Sequence, residues 1–146
     1  MRGTGVGGDH YTGAMNETSV AEEAERYLQI LSDPRSRPAP TECLACFVAR
    51  MLCDFGCDTT LRWAQRFRDL RSPTATGLER RLGDVGGFCD CEIFLNGYRL
   101  VRPLLVRDLA TDELMAPDEP PLCAGVRRTS TRPCANWERR GRHDTW

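Results

Sequence analysis

Eight cysteines constrain this chain more than any other feature, because they leave a choice between disulfide bonds and metal or redox chemistry. Residues 1–15 contain no apolar run of the kind that an export signal carries. No stretch approaches the roughly 18 apolar residues of a membrane span. We therefore expect a cytoplasmic protein without stable disulfides, whose clustered cysteines bind a metal or react as thiols.

Length and composition predict one small domain with tails. The chain has 146 residues, 40% of them hydrophobic, and a net charge of −1, which gives no global attraction for nucleic acid or membrane. We interpret residues 1–16 as a flexible leader and residues 17–115 as a single small domain with its core at 41–106. Residues 116–146, rich in proline and arginine, are interpreted as a mostly disordered tail.

The hydrophobic pattern up to residue 82 predicts helices. The first begins at a capping box formed by Ser19 and Glu22 and ends near Leu31. Three more are predicted, at residues 41–55, 59–71 and 73–82.

A β-hairpin is predicted after the helices. Residues 88–95 are β-prone, Asn96-Gly97 is the favoured two-residue hairpin turn, and residues 98–101 form the returning strand. The predicted fold class is α+β: a small, mainly helical domain of three to four helices plus a C-terminal β-hairpin, stapled by zinc.

The side of the predicted helix or strand on which each cysteine lies favours metal binding. Cys43 and Cys46 are three residues apart on one side of a helix, and Cys53 returns to that side, away from the apolar stripe. A cysteine buried only as a small hydrophobic residue would lie on the stripe. Cys89 and Cys91 are two residues apart in a predicted strand, so both point to one face.

Two pairs of thiolates supply the four tetrahedral ligands that zinc prefers. We expect Cys43 and Cys46 to bind one zinc ion with Cys89 and Cys91, in a structural rather than catalytic site. Cys57, at a turn between helices, competes for one ligand position.

The remaining cysteines are assigned no metal. Cys123 and Cys134 lie in the predicted tail and are interpreted as free thiols. An iron–sulfur site built from Cys43, Cys46, Cys53 and Cys57 is disfavoured, because their spacing matches no known cluster motif.

One motif resembles a known family. Residues 86–96 (Gly-Gly-Phe-Cys-Asp-Cys-Glu-Ile-Phe-Leu-Asn) contain the Gly-Phe-Cys-Asp-Cys-Glu signature of a bacterial, actinobacterial-type domain family of unknown function. Residues 57–62 (Cys-Asp-Thr-Thr-Leu-Arg) match a second family stretch, and the resemblance covers about residues 41–98. It implies that Cys57, Cys89 and Cys91 are metal ligands and that Glu92 orients them.

The resemblance leaves the ligand set open. Many relatives carry histidine at the position of Thr59, which cannot replace a zinc-binding imidazole, so a family site of that kind would recruit Cys43 or Cys46 here. The family is also similar, more weakly, to the mycobacterial protein-Y recruitment factor, which is associated with ribosome hibernation under zinc starvation. That similarity implies a zinc-responsive adaptor.

A set of arginines has two interpretations: a solvated helix surface, or a contact with the phosphates of RNA or the ribosome. Its members are Arg62, Arg66, Arg80 and Arg81. We assign no catalytic residue, because His10 and His143 lie in the tails without a recognisable partner.

Two functions remain open from the sequence. The leading hypothesis is a non-enzymatic zinc-binding interaction or regulatory module associated with the ribosome or RNA, or with a protein partner. The alternative is a thiol-based redox sensor or oxidoreductase that uses the cysteine pairs. We expect no small-molecule substrate and no membrane partner.

Overall fold

The structure, a computed structural model, describes residues 9–141, with side chains from residue 19, and divides the chain into two units at Ser36. The first unit contains helix α1 (Asp9–Ser32), followed by a 3-10 turn at Pro34–Ser36. The turn is closed by Arg35, whose Nη2 lies 2.7 Å from Asp33 Oδ2.

The predicted start of the first helix is wrong. Ser19 and Glu22 lie inside α1, so they do not form a capping box, and residues 9–16 of the predicted leader are helical. No proline interrupts residues 9–32, and one glycine costs a helix only about 1 kcal/mol. The rest of the predicted leader, residues 1–8, lies outside the described residues.

The second unit contains four helices and four short strands within its described residues. They are α2 (Leu44–Phe55), α3 (Arg62–Arg71), α4 (Leu78–Asp84), α5 (Asp90–Glu92), β1 (Tyr98–Leu100), β2 (Val106–Arg107), β3 (Leu114–Met115) and β4 (Trp137–Arg139). The strands form two antiparallel pairs, β1 with β4 and β2 with β3. The α+β class with a small hairpin, here β2–β3, is confirmed.

The core of the second unit lies between α2 and α3. The rings of Phe47 and Phe67 are 5.9 Å apart, and Trp63 is fully buried beside them. Gly56 ends α2 with a φ of 82°, a conformation that favours glycine. The hydrophobic pattern therefore placed these two helices correctly, within a few residues at each end.

The predicted position of the hairpin is wrong. Residues 90–97 are helical: α5 continues as a turn of π-helix at Ile93–Gly97. Asn96 donates from Nδ2 to the carbonyl of Gly86 (2.9 Å) instead of forming a hairpin turn. β1 follows at the predicted place, but its partner strand comes from the C-terminal segment.

The C-terminal segment, residues 116–141, packs against the rest of the second unit, whereas the sequence predicts a mostly disordered tail. Val126 N donates to Thr41 O (2.9 Å), and β4 pairs with β1 in a register that sets Trp137 opposite Leu100. The hydrophobic pattern could not indicate these contacts, because they join the segment to distant parts of the chain rather than to itself.

A buried aspartate caps α3 from a distant part of the chain. Asp90 is fully buried, and its two carboxylate oxygens accept hydrogen bonds from the backbone of Trp63 (2.9 Å) and Ala64 (3.1 Å). The residue that precedes α3, Leu61, offers no side-chain cap. Burial raises the pKa of Asp90 to about 6, although the two backbone donors oppose this shift.

We predict that Asp90→Ala lowers the free energy of unfolding by about 2–4 kcal/mol, because it leaves two buried N–H groups without an acceptor. Urea denaturation followed by circular dichroism measures the change. The control is Asp118→Ala at an exposed position, which should change stability by less than about 0.5 kcal/mol. Equal effects of the two substitutions would contradict the capping role.

Candidate metal centre

Four cysteines from two distant segments meet in one place. Cys43 and Cys46 lie at the start of α2, and Cys123 and Cys134 come from the C-terminal segment. Their sulfur atoms all lie within 4.8 Å of one another, and the Cys46 and Cys134 sulfurs are 3.8 Å apart. A tetrahedral zinc ion with Zn–S bonds of about 2.3 Å separates its sulfurs by about 3.8 Å. We call this group the four-cysteine cluster; it needs only a small contraction to hold such an ion.

Backbone N–H groups point at the cluster sulfurs. Cys43 is the N-cap of α2, and its sulfur accepts a hydrogen bond from Cys46 N (3.3 Å). The sulfur of Cys123 accepts from Cys43 N (3.2 Å) and Gly125 N (3.3 Å). Donors of this kind stabilise the thiolate form, which is the form that binds metals.

An aromatic side chain closes one side of the cluster. Trp137 Nε1 donates to the sulfur of Cys46 (3.3 Å), and its ring packs against Phe94 at 5.0 Å. Trp137 N also donates to Cys134 O (3.1 Å), so a single turn of chain fixes both residues. Metal-binding side chains commonly accept or donate a hydrogen bond to a neighbouring residue that is not itself a ligand, and Trp137 is placed to be that neighbour for Cys46.

The thiols of the cluster have unequal acidities. A hydrogen bond from the Cys46 thiol lowers the pKa of Cys43 to about 5 and raises the pKa of Cys46. Burial raises the pKa of Cys123. Metal binding must therefore displace protons from the more basic thiols, which makes the metal affinity dependent on pH.

Arg71 joins the two segments that carry the cluster. Its side chain is buried and donates to the carbonyls of Ala39 (2.6 Å) and Glu42 (2.9 Å), just before Cys43. It also donates to the carbonyl of Arg128 (2.6 Å) in the C-terminal segment. The planar guanidinium can donate to three carbonyls at once in a fixed geometry. A lysine ammonium, which is a single point on a flexible stem, cannot reproduce that geometry.

Three other predicted ligands meet elsewhere, in what we call the second cysteine group: Cys57, Cys89 and Cys91. The three thiols are near enough to shift one another's pKa values. All three side chains are partly exposed. The group has no fully buried member, whereas the four-cysteine cluster contains the buried Cys43 and Cys134.

The loop after α2 is held against the start of α5. Asp90 N donates to Thr60 O (3.0 Å), and Thr59 N donates to the sulfur of Cys57 (3.4 Å). Burial opposes ionisation of Cys57, but its hydrogen bonds to Cys91, Thr59 and Cys89 lower its pKa. The hydrogen bond to Cys57, followed by burial, raises the pKa of Cys91 to about 11.

The structure thus divides the predicted ligand set. Cys43 and Cys46 lie not with Cys89 and Cys91 but with Cys123 and Cys134, so the prediction that the latter two are free thiols outside any cluster is wrong. A usable signal was present: Gly125, with a φ of 92°, follows Cys123 by two residues and allows the turn that aims its N–H at the sulfur. Cys53 is exposed and belongs to neither group.

The other predicted site residues have separate surroundings. Glu92 lies beside the second cysteine group: its backbone N–H donates to the carbonyl of Cys89 (3.1 Å), and the orienting role of its side chain stays a prediction. Arg62 donates to the carbonyls of Phe55 and Gly56 and stacks on Trp63 at 4.5 Å, so its guanidinium is engaged inside the protein.

The remaining arginines of the predicted set differ in exposure. Arg66 is half-buried and interacts within the protein. Arg80 and Arg81 are exposed on α4, and Arg81 donates to Thr131 Oγ1 (3.1 Å). The exposed part of the set is therefore on α4.

Comparison with family models finds one similarity. Residues 44–96 match a family described as protein of unknown function (DUF2695). The match includes the second cysteine group but leaves out three members of the four-cysteine cluster: Cys43, Cys123 and Cys134. No curated protein and no solved structure matches the chain. None of the helices in the described part of the chain is long and apolar enough to cross a membrane.

We predict that Arg71→Lys lowers the free energy of unfolding by about 2–4 kcal/mol, because lysine leaves buried carbonyls without donors. Chemical denaturation followed by tryptophan fluorescence measures the change. Arg102→Lys, at an exposed position, is the matched control and should change it by less than about 0.5 kcal/mol. An Arg71→Lys protein as stable as this control would contradict the clamping role.

Proposed function

We propose that the protein is a non-enzymatic, zinc-binding interaction or regulatory module. The observation that supports this most strongly is the four-cysteine cluster, whose sulfurs lie within 4.8 Å of one another. Four thiolates around one ion leave no open coordination position, so the zinc stabilises the fold rather than activating water. Its free energy of binding becomes free energy of folding for the C-terminal segment.

The choice of zinc rests on the ligand set. Four soft thiolates in a tetrahedral arrangement suit zinc or iron, while oxygen ligands suit magnesium and calcium. The cluster spans the start of α2 and a loop more than 70 residues further along the chain. A redox-inert ion that joins distant segments is the simplest role for such a site.

The proposed partner is RNA, including ribosomal RNA, in the cytoplasm. Support comes from Arg80 and Arg81, which are exposed on α4, since arginine recognises phosphate with two parallel hydrogen bonds. Arg62 is engaged inside the protein, so the RNA contact is proposed for α4 rather than for α3.

We predict one zinc ion in the four-cysteine cluster of the purified protein. Cys134→Ser should lose it at a chelator concentration that leaves the natural protein loaded, because a hydroxyl is a poor zinc ligand. Native mass spectrometry with elemental analysis measures the zinc content. The control is Cys53→Ser, which changes an exposed thiol of α2 and should keep the zinc.

Two outcomes would contradict this proposal. One is natural protein that stays folded and free of metal under reducing conditions. The other is a Cys134→Ser protein that keeps the same zinc affinity as Cys53→Ser.

The second cysteine group supports a second candidate function, a thiol-based redox sensor. Cys57 is partly exposed and its pKa is lowered, and Cys91 is near enough to contribute to that shift, so its thiol can resolve an oxidised Cys57. A low-pKa, accessible thiol beside another thiol is the usual arrangement of redox-sensing cysteines. The competing proposal, implied by the family resemblance, is that Cys57, Cys89 and Cys91 bind a second zinc ion.

Labelling with iodoacetamide distinguishes the two proposals for this group. A redox thiol predicts that Cys57 is alkylated at once in protein carrying a single zinc, while the cluster cysteines react only after chelation. A second ion predicts two zinc ions per chain, one of which Cys89→Ser removes, and slow alkylation of Cys57. Mass spectrometry of the labelled peptides gives the result at each position.

A further inference from the structure

We propose that the cavity between α4 and the β1–β4 strand pair binds a nucleotide: a phosphate with its attached planar base, free or as part of RNA. The inference rests on the proposed function, because it gives the module a ligand and uses the metal centre to hold one wall. The cavity has a volume of about 520 Å³, within the range of sites that take small ligands.

The strand register builds one wall of the cavity. Tyr98 lies opposite Arg139, and Leu100 lies opposite Trp137. Directly opposite residues of an antiparallel pair share a face, as do residues two apart on one strand. Tyr98, Trp137 and Arg139 therefore present one face, and all three line the cavity. Arg99 and Glu138 lie on the other face, where they form an ion pair at 2.9 Å.

The charge of the lining favours an anion. Three arginines line the cavity: Arg81 of α4, Arg132 of the loop before β4, and Arg139 of β4. The acidic residue of the lining is Asp84, which leaves an excess of positive charge. Within residues 19–141, neither Arg132 nor Arg139 forms an ion pair, and both are exposed. Their guanidinium groups can therefore take a phosphate without first breaking an ion pair there.

The same cavity offers surface for a planar base. Leu78 and Leu82 of α4, with Val85 directly after it, supply an apolar side, and Tyr98 and Trp137 supply aromatic rings. Stacking of a base on an aromatic side chain is favourable for every base, because each base has a planar π-face. Arginines beside aromatic rings match the two parts of a nucleotide, whereas a bare phosphate would use the arginines alone.

One wall of the cavity belongs to the metal centre. Thr131, Arg132 and Pro133 precede the cluster ligand Cys134, and Trp137 both lines the cavity and donates to the sulfur of Cys46. A metal ion that holds Cys134 therefore also positions the wall that carries Arg132 and Arg139.

The test is isothermal titration calorimetry of the zinc-loaded full chain at physiological salt with four probes: adenosine monophosphate, adenosine, inorganic phosphate and an eight-nucleotide oligoadenylate. The nucleotide or the oligonucleotide should bind, and adenosine and phosphate alone should each bind at least about tenfold more weakly, because each makes half of the contacts. Binding of the mononucleotide indicates a free nucleotide as ligand; binding of the oligonucleotide alone indicates RNA.

Charge reversal inside and outside the cavity is the matched comparison. Arg132→Glu and Arg139→Glu should each raise the Kd at least about tenfold. Arg102→Glu makes the same charge change at an exposed position that does not line the cavity, and screening at physiological salt should keep its effect below about threefold. Arg132 lies in a loop, so its variant tests the site even if Arg139→Glu disturbs β4.

Three results would overturn the inference: no binding of either nucleotide probe by zinc-loaded protein, equal weakening by Arg102→Glu and Arg132→Glu, or phosphate binding as tightly as the nucleotide. Zinc content measured on the same samples separates this failure from that of the proposed function. Nucleotide binding that depends on Arg132, in protein that purifies folded and without zinc, would contradict the metal proposal alone. Zinc-loaded protein that binds none of the probes would contradict the nucleotide site alone.

Discussion

The second unit depends on the junction between the start of α2 and the C-terminal segment. Cys46 and Cys134 are 88 positions apart in sequence, yet their sulfurs are 3.8 Å apart. Holding such distant positions together costs loop entropy, which the few contacts of the C-terminal segment must offset. The pair β1–β4 has three residues in each strand and could not hold the segment alone. The cysteines, with apolar side chains such as Phe94, Val126 and Trp137 packed against them, form the small core that holds this segment.

Polar side chains make the other long-range connections. Asp90 reaches the first N–H groups of α3, and Arg71 reaches carbonyls on both segments that carry the four-cysteine cluster. Each of these side chains is buried and therefore depends on its partners, since an unpaired polar group would cost more than the hydrogen bonds supply. These contacts specify one arrangement of the helices and loops, whereas the hydrophobic contacts between α2 and α3 would tolerate several.

This division between local and distant contacts explains what the sequence could predict. The apolar stripes of α2 and α3 repeat at helical spacing, so both helices were predictable from their own residues. At Asn96-Gly97 the local turn preference was overridden, because Asp90 is fixed to α3 and the chain continues from it as a helix. Cys43 and Cys46 were predicted as ligands from their spacing. Cys123 was not, because the local spacing of Cys123 and Gly125 indicates only a turn, and tertiary contacts bring that turn to Cys43 and Cys46.

The shared use of residues 131–139 has a thermodynamic consequence for the two proposed sites. Cys134 belongs to the four-cysteine cluster, while Arg132 and Arg139 line the proposed nucleotide cavity. If metal binding orders this segment, it removes part of the ordering entropy that a nucleotide would otherwise have to offset, and so strengthens nucleotide binding. Linkage requires the reverse effect to be equal: a bound nucleotide must raise the metal affinity by the same factor. In a module built in this way, the affinity for a nucleotide or RNA would change with the availability of zinc, with no catalytic step.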